Sequence, residues 1–243
     1  MKRYLHGFTM CQSMFCAIPC PWRVWDEEAR DQMLLFLPLV GLEIGVIWAG
    51  LSWLAGYLDL PAAVRGLALC AYPFLVTGSI HLDGFMDVTD AVKSCRDMER
   101  RRAILKDPHV GSFAVIGLAL LLLAQFAFFT AADNGSILML IPVVSRCCSA
   151  LAVKGLKPMS TSQYAARKAP AGHMIALSVM LCAALAAGFL FWGRAGLVLL
   201  GCLAGYGFAL RRGYRSLGGM NGDISGYALT IGELWGAAVC AIL

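Results

Sequence analysis

The stretch Val110–Ala131, VGSFAVIGLALLLLAQFAFFTA, carries no charged side chain over its whole length. As a helix it would extend ~33 Å, enough to cross the hydrocarbon of a bilayer. Working outward, comparable apolar runs occupy 34–58, 61–81, 135–152, 172–192, 195–210 and 225–243. The first is long enough to tilt and the sixth is short. Composition agrees: of 243 residues, 59% are hydrophobic and 14% charged, and mean hydropathy is +0.71, whereas soluble domains average about 25% charged. Such a chain cannot cover itself with polar surface, and it is too apolar for disorder. The sequence predicts an all-α, polytopic integral membrane bundle of about seven transmembrane helices. Residues 1–243 form a single membrane domain, so the chemistry falls to loops and helix ends.

Charge orders these spans. All Lys and Arg except Arg65, Arg146 and Arg194 lie before span one or in alternate connections thereafter. Basic residues flanking spans remain cytoplasmic, which predicts a cytoplasmic N-terminus and an external C-terminus. The same bias accounts for the net charge of +5, and no nucleic-acid-binding motif is present. The basic loop between spans two and three could meet anionic lipid or a phosphorylated substrate. The ten cysteines mostly sit in apolar runs as small hydrophobes, and Cys11, Cys16 and Cys20 form no C-x-x-C pair. Residues 4–18 lack a cleavage site and read as a retained interfacial or re-entrant helix, followed by the headgroup-seeking Trp22 and Trp25.

The informative residues are polar ones that an apolar span should not carry. Span two runs into His81-Leu82-Asp83-Gly84-Phe85-Met86-Asp87-Val88-Thr89-Asp90. Asp83, Asp87 and Asp90 stand at i, i+4 and i+7, within ~60° of one helix face. Three aligned carboxylates repel and call for a cation. Mg²⁺ suits them, taking oxygen ligands from one or two carboxylates, waters and a substrate phosphate. The alternative is a row of solvated charges neutralised by the Lys and Arg that follow. His81, one turn earlier, fits a supporting role better than Mg²⁺ ligation. The whole segment 82–109 reads as a charged cytoplasmic active-site loop. Its last part, Lys106-Asp107-Pro108-His109-Val110-Gly111, brings a cation, a carboxylate and a histidine to the start of span three. Arg146 is a basic residue deep inside a span and needs a partner, either a carboxylate such as Glu43 or Glu233 or a ligand phosphate. Gly218-Gly219-Met220-Asn221-Gly222-Asp223 could close over a ligand, or simply cap span seven through Asp223. The pairs Gly41/Gly45, Gly201/Gly205 and Gly232/Gly236 predict close helix packing.

The acidic run, Ile104–Gly111, Ser145-Arg146, Gly218–Asp223 with Gly232-Glu233-Leu234, and the early Ile18-Pro19-Cys20-Pro21 and Pro38-Leu39-Val40-Gly41 together resemble the cobalamin synthase (adenosylcobinamide-GDP ribazoletransferase) family across essentially the whole chain. The sequence departs from the family pattern at Ala91, Met220-Asn221 and Thr230. The resemblance implies a multi-pass enzyme of a prokaryotic inner membrane, with its active site facing the cytoplasm. It implies Mg²⁺-dependent joining of adenosylcobinamide-GDP to α-ribazole or its 5′-phosphate, with release of GMP. It also implies catalytic and metal-binding roles for Asp83, Asp87 and Asp90, and substrate-binding roles for Lys106, Asp107, Arg146, Asn221 and Asp223. The bilayer is the expected partner besides these substrates, and oligomerisation is left open. The alternatives are a CDP-alcohol-type membrane phosphotransferase, whose Ala-Arg and later Gly-x-x-x-Asp continuation does not follow Asp83-Gly84, and an ion-coupled transporter. A transporter would place its acids near the midplane, within an internal repeat.

The topology has a direct check. Reporter fusions after residue 100 are expected to score as cytoplasmic and fusions at the C-terminus as external; the reverse pattern refutes it.

Overall fold

The computed structural model describes residues 2–22, 24–132, 135–159 and 170–243. Arg23, Arg167 and Lys168, part of the charge pattern, lie outside them. The described residues form α1 (Lys2–Phe15), α2 (Arg30–Met33), α3 (Leu37–Tyr57), α4 (Ala62–Val76), α5 (Ile80–Lys93), α6 (Met98–Ile104), α7 (Ser112–Ala131), α8 (Ile141–Gly155), α9 (Ala171–Trp192), α10 (Leu197–Leu217) and α11 (Gly222–Ile242). Among them there is no sheet, only an isolated bridge between Pro158 and Met220.

Five stretches are long and apolar enough to cross a membrane, six when the bent pair α4–α5 is counted as one crossing. The longest, Ala171–Leu217, is a helical hairpin. At its turn Gly193 takes φ 54°. The Trp192 indole donates to Ser136 Oγ at one end of α8, while Met174, near the start of α9, packs at Gly155 at the other. Cys202 of α10 returns to Ile141 at the α8 N-terminus. Counting α9 and α10 separately gives the seven expected passes. The passes alternate in direction, and α1 and the α7, α9 and α11 N-termini share one end. The sixth is longer than the expected 195–210, because α10 stays helical through Arg211, Arg212 and Arg215, whose charged tips can reach out from the bundle end.

Helix α8 is the axis, buried at nearly every position from Ile141 to Ala152. Outward-facing side chains of α7 and α9 are apolar and exposed, Leu123 by 65% and Leu190 by 78%, as a lipid-facing surface requires. Glycines set the closest approaches. A β-carbon at Gly45 would lie 2.0 Å from Met139 O, and one at Gly41 2.5 Å from Pro142 O. Gly201 and Gly205 abut Val239 and Trp235, and Gly232 abuts Cys202 and Tyr206. The three expected glycine pairs are therefore packing surfaces for α3–α8 and α10–α11.

Span two departs from expectation. It stops at Val76, and α5 turns away by 92°. Pro73 lies inside α4 and has no N–H, so the Leu69 carbonyl is freed; the Trp48 indole donates to it at 2.9 Å. The Thr77 hydroxyl donates to Pro73 O at 2.8 Å. Gly78 and Ser79 then take φ 59° and 61°, a left-handed pair that ends the helix. Consequently α5 does not continue span two but lies across the end of the bundle. The expected charged loop 82–109 is mostly helical, being α5 followed by α6.

Gly45→Ala is expected to lower stability by about 1–3 kcal/mol through overpacking. Gly207→Ala, with nothing within 4 Å of the new methyl, should be neutral or stabilising by up to ~1 kcal/mol. Thermal unfolding in detergent checks both.

Candidate active site

The break after α4 presents α5 to the N-terminus of α11, and two glycines let them touch. A β-carbon at Gly84 would lie 2.9 Å from Asp223 Cα and O, and one at Gly226 3.0 Å from His81 O. The α11 N-terminus is capped by Asn221, whose Oδ1 accepts from Ile224 N–H at 3.0 Å. Asn221, not Asp223, is thus the cap. Its Nδ2 donates to Asp223 Oδ2 at 2.6 Å, orienting that carboxylate in the first turn, where the helix dipole favours negative charge.

Between these helices, α8 and the N-terminal helix lies a cavity of about 280 Å³. Asp83, Asn221 and Asp223 supply its charged and amide groups, Ser149 and Ser225 its hydroxyls, and Phe15 and Met14 its apolar cover. Ser149 Oγ and Ser225 Oγ are hydrogen-bonded to each other. The His81 ring stacks on Phe15, centroids 5.9 Å apart and nearly parallel, and its buried Nε2 has no hydrogen-bond partner among the described residues. An adjoining depression is lined by Asp83, Asp87, Asp90, His109 and Gly111. The Asp90 carboxylate rests on Gly111, where a β-carbon would fall 2.0 Å from Oδ2. Asp83 lines both spaces and joins them.

The sequence-predicted set is therefore partly assembled. Asp83, Asp87, Asp90, Asn221 and Asp223 come together. Lys106 and Asp107 sit exposed between α6 and α7, next to His109 and Gly111. The Asp107 carboxyl accepts from the His109 backbone N–H at 3.0 Å and contacts its ring at 2.7 Å, which holds its pKa below the ordinary value. Arg146 does not line the cavity. It is fully buried, and its Nη1 donates to Glu233 Oε1 at 2.8 Å. Ser145 Oγ donates to the same oxygen at 2.8 Å. Of the two partners open to it, the structure supplies the carboxylate. Arg102 has a structural task, with Nε donating to Leu217 O at 2.7 Å and so fastening α6 to α10.

Sequence reasoning missed Ser149, Ser225 and the stacking of Phe15 on His81. Ser145 and Ser149, one turn apart in a span, were an available signal. The reach of α1 over the cavity had none, since it depends on tertiary packing.

Electrostatically the site is acidic and uncompensated. No ion pair involves Asp83, Asp87, Asp90 or Asp223 among the described residues. Burial first, then the charges of Asp83, Asp223 and Asp90, push Asp87 up to about 6. No three Asp, Glu, His or Cys converge as a ready-made metal cage among the described residues. That fits a hard cation which takes one or two carboxylates and completes its shell with water and a phosphate.

Fold and site together define a multi-pass helical membrane protein with an acidic cavity at one end of its bundle. The model of the family described as cobalamin-5-phosphate synthase matches residues 7–241. Relatives include adenosylcobinamide-GDP ribazoletransferases of Clostridium botulinum (strain Alaska E43 / Type E3), 33% identical with 97% of each chain covered, and of Clostridium perfringens (strain SM101 / Type A), 33% identical over the whole of both chains. That of Geotalea daltonii is 33% identical over 89% of this chain and 88% of its own. No solved structure matches. The chain belongs to the cobalamin-5-phosphate synthase family and is a transferase of cobalamin biosynthesis. Membership sets aside the CDP-alcohol and transporter readings.

The buried pair yields a prediction. Arg146→Met leaves Glu233 buried and unpaired, and is expected to cost about 3–5 kcal/mol. Adding Glu233→Leu should restore most of that loss, read as recovery of the unfolding midpoint in detergent.

Proposed function

We propose that the chain catalyses Mg²⁺-dependent transfer of the phosphorylated cobinamide of adenosylcobinamide-GDP to a hydroxyl of α-ribazole or its 5′-phosphate. The products are adenosylcobalamin or its 5′-phosphate, and GMP. The observation that carries this reading is the gathering of Asp83, Asp87, Asp90 and Asp223 around two adjoining spaces joined by Asp83, without an ion-pair partner among the described residues. The names of the relatives, which state a ribazoletransferase acting on adenosylcobinamide-GDP, supply the substrate class.

The bond that forms joins the ribazole oxygen to the cobinamide-side phosphorus; the bond that breaks is the bridging P–O to GMP. Such transfers require positioning and charge neutralisation more than covalent assistance from protein. One or two of Asp83, Asp87 and Asp90 would hold Mg²⁺, with Asp223 facing them. Bound there, Mg²⁺ supplies Lewis-acid neutralisation of the diphosphate and of the departing phosphate. An aspartate of this group that the ion leaves free is suited to take the hydroxyl proton. Asn221 fixes Asp223, and the capped α11 N-terminus directs positive dipole toward the phosphates. Lys106, exposed between α6 and α7, would neutralise phosphate oxygens. Met14 and Phe15 cover the cavity and limit access of competing water. The basic residues of the described chain cluster at the site end, around α6 and the end of α10, while Arg65 and Arg194 mark the other. This supports a site facing the cytoplasm of a prokaryotic inner membrane, where soluble substrates are available.

Release of GMP from adenosylcobinamide-GDP by purified protein, dependent on both Mg²⁺ and α-ribazole, tests the assignment. Asp83→Asn is expected to lower the rate at least about 100-fold, or ~2.7 kcal/mol, with the unfolding midpoint retained. Full activity of that variant would remove Asp83 from the mechanism.

A further inference from the structure

Helix α5 has a second face. Phe85, Thr89 and Val92 repeat the i, i+4, i+7 spacing of the aspartates two residues later, about 200° around the helix. The acids and these residues therefore look in opposite directions. Phe85, Thr89 and Val92 line a separate cavity of about 310 Å³, bounded by α7, α10 and α11. Its wall is apolar, with Leu121, Ile231 and Leu234, and it opens sideways: Leu120 is 64%, Phe208 53% and Trp235 41% exposed. In a membrane-spanning bundle these side chains face acyl chains rather than water.

The groove is not purely apolar. Lys93, at the end of α5, and Arg212, in the last turns of α10, also line it. Both are exposed, and neither has a carboxylate partner among the described residues. Both stand at the site end of the bundle. Thr89 is buried to all but 7%, and its hydroxyl has no hydrogen-bond partner among the described residues. A buried hydroxyl without a partner is costly unless a ligand or water satisfies it. Basic clefts between transmembrane helices bind anionic lipid headgroups.

We propose that this groove is a site for an anionic phospholipid. An acyl chain packs against Phe85, Leu121 and Trp235, and the headgroup phosphate lies between Lys93 and Arg212. Because α5 carries the catalytic aspartates on its other face, the lipid supports the site from behind. The lipid site stands on the geometry of the groove and does not depend on the identity of the substrates.

The test uses the full chain purified in detergent, with phosphatidylglycerol, phosphatidylcholine and inorganic phosphate as probes. Native mass spectrometry reads retained lipid, and thermal unfolding reads stabilisation. Phosphatidylglycerol is expected to be retained and to raise the unfolding midpoint, with phosphatidylcholine and inorganic phosphate ineffective. The double variant Lys93→Gln, Arg212→Gln should bind phosphatidylglycerol about 10- to 30-fold more weakly. Arg215→Gln, a cation of the same helix end that does not line the groove, should bind as the unsubstituted protein does. Equal retention of both lipids, an equal effect of inorganic phosphate, unaltered binding in the double variant, or equal weakening by Arg215→Gln would each overturn the proposal.

Discussion

The ion pair between Arg146 and Glu233 constrains the arrangement of this protein more than any other contact. It lies inside the bundle, with Arg146 fully and Glu233 almost fully removed from solvent, so neither charge has an alternative partner in lipid. Its stability contribution as a pair is small, because desolvation offsets attraction. Its effect on register is large: α8 and α11 must meet so that these side chains touch. Once they do, Ser149 faces Ser225 nearer the site, Thr230 reaches His81 O, and the α11 N-terminus arrives beneath α5. The cavity is a consequence of that register.

Close approach is the second requirement. Helices in lipid gain little from burying apolar surface against one another, so they associate through contacts that small residues permit. Here those residues stand where the site needs precision as well as where the bundle needs packing. Gly84 and Gly226 bring the acidic helix onto α11, and Gly111 makes room for the Asp90 carboxylate. An alanine at any of the three would displace a group of the candidate site by tenths of an ångström or more.

Much of this was legible beforehand. The apolar runs gave the passes because a bilayer admits only backbone that satisfies itself, and that requirement writes itself into sequence as length. The i, i+4, i+7 spacing placed the aspartates on one face because helical periodicity is local. The site's partners were less accessible. Arg146 announced that it had a partner but not which, since Glu233 becomes its neighbour only through packing. The 92° break was signalled by Gly78-Ser79 and Pro73, yet proline is tolerated in membrane helices, and only the Trp48 indole taking up the freed Leu69 carbonyl shows that the helix was built to stop. Arg102 looked like one more surface cation until its two carbonyl partners, Leu217 and Gly218, were adjacent.

The N-terminal helix packs through a hydrophobic cluster that joins Met10 and Cys11 to Met33, Leu37 and Ile44 and reaches Ala150 of α8 and Leu177 of α9. Met14 and Phe15, which line the cavity, are thus tied to the span that also carries Ser149. The consequence is mechanical: the apolar cover of the cavity and one of its hydroxyls share a helix, so repacking at Ala150 reaches both.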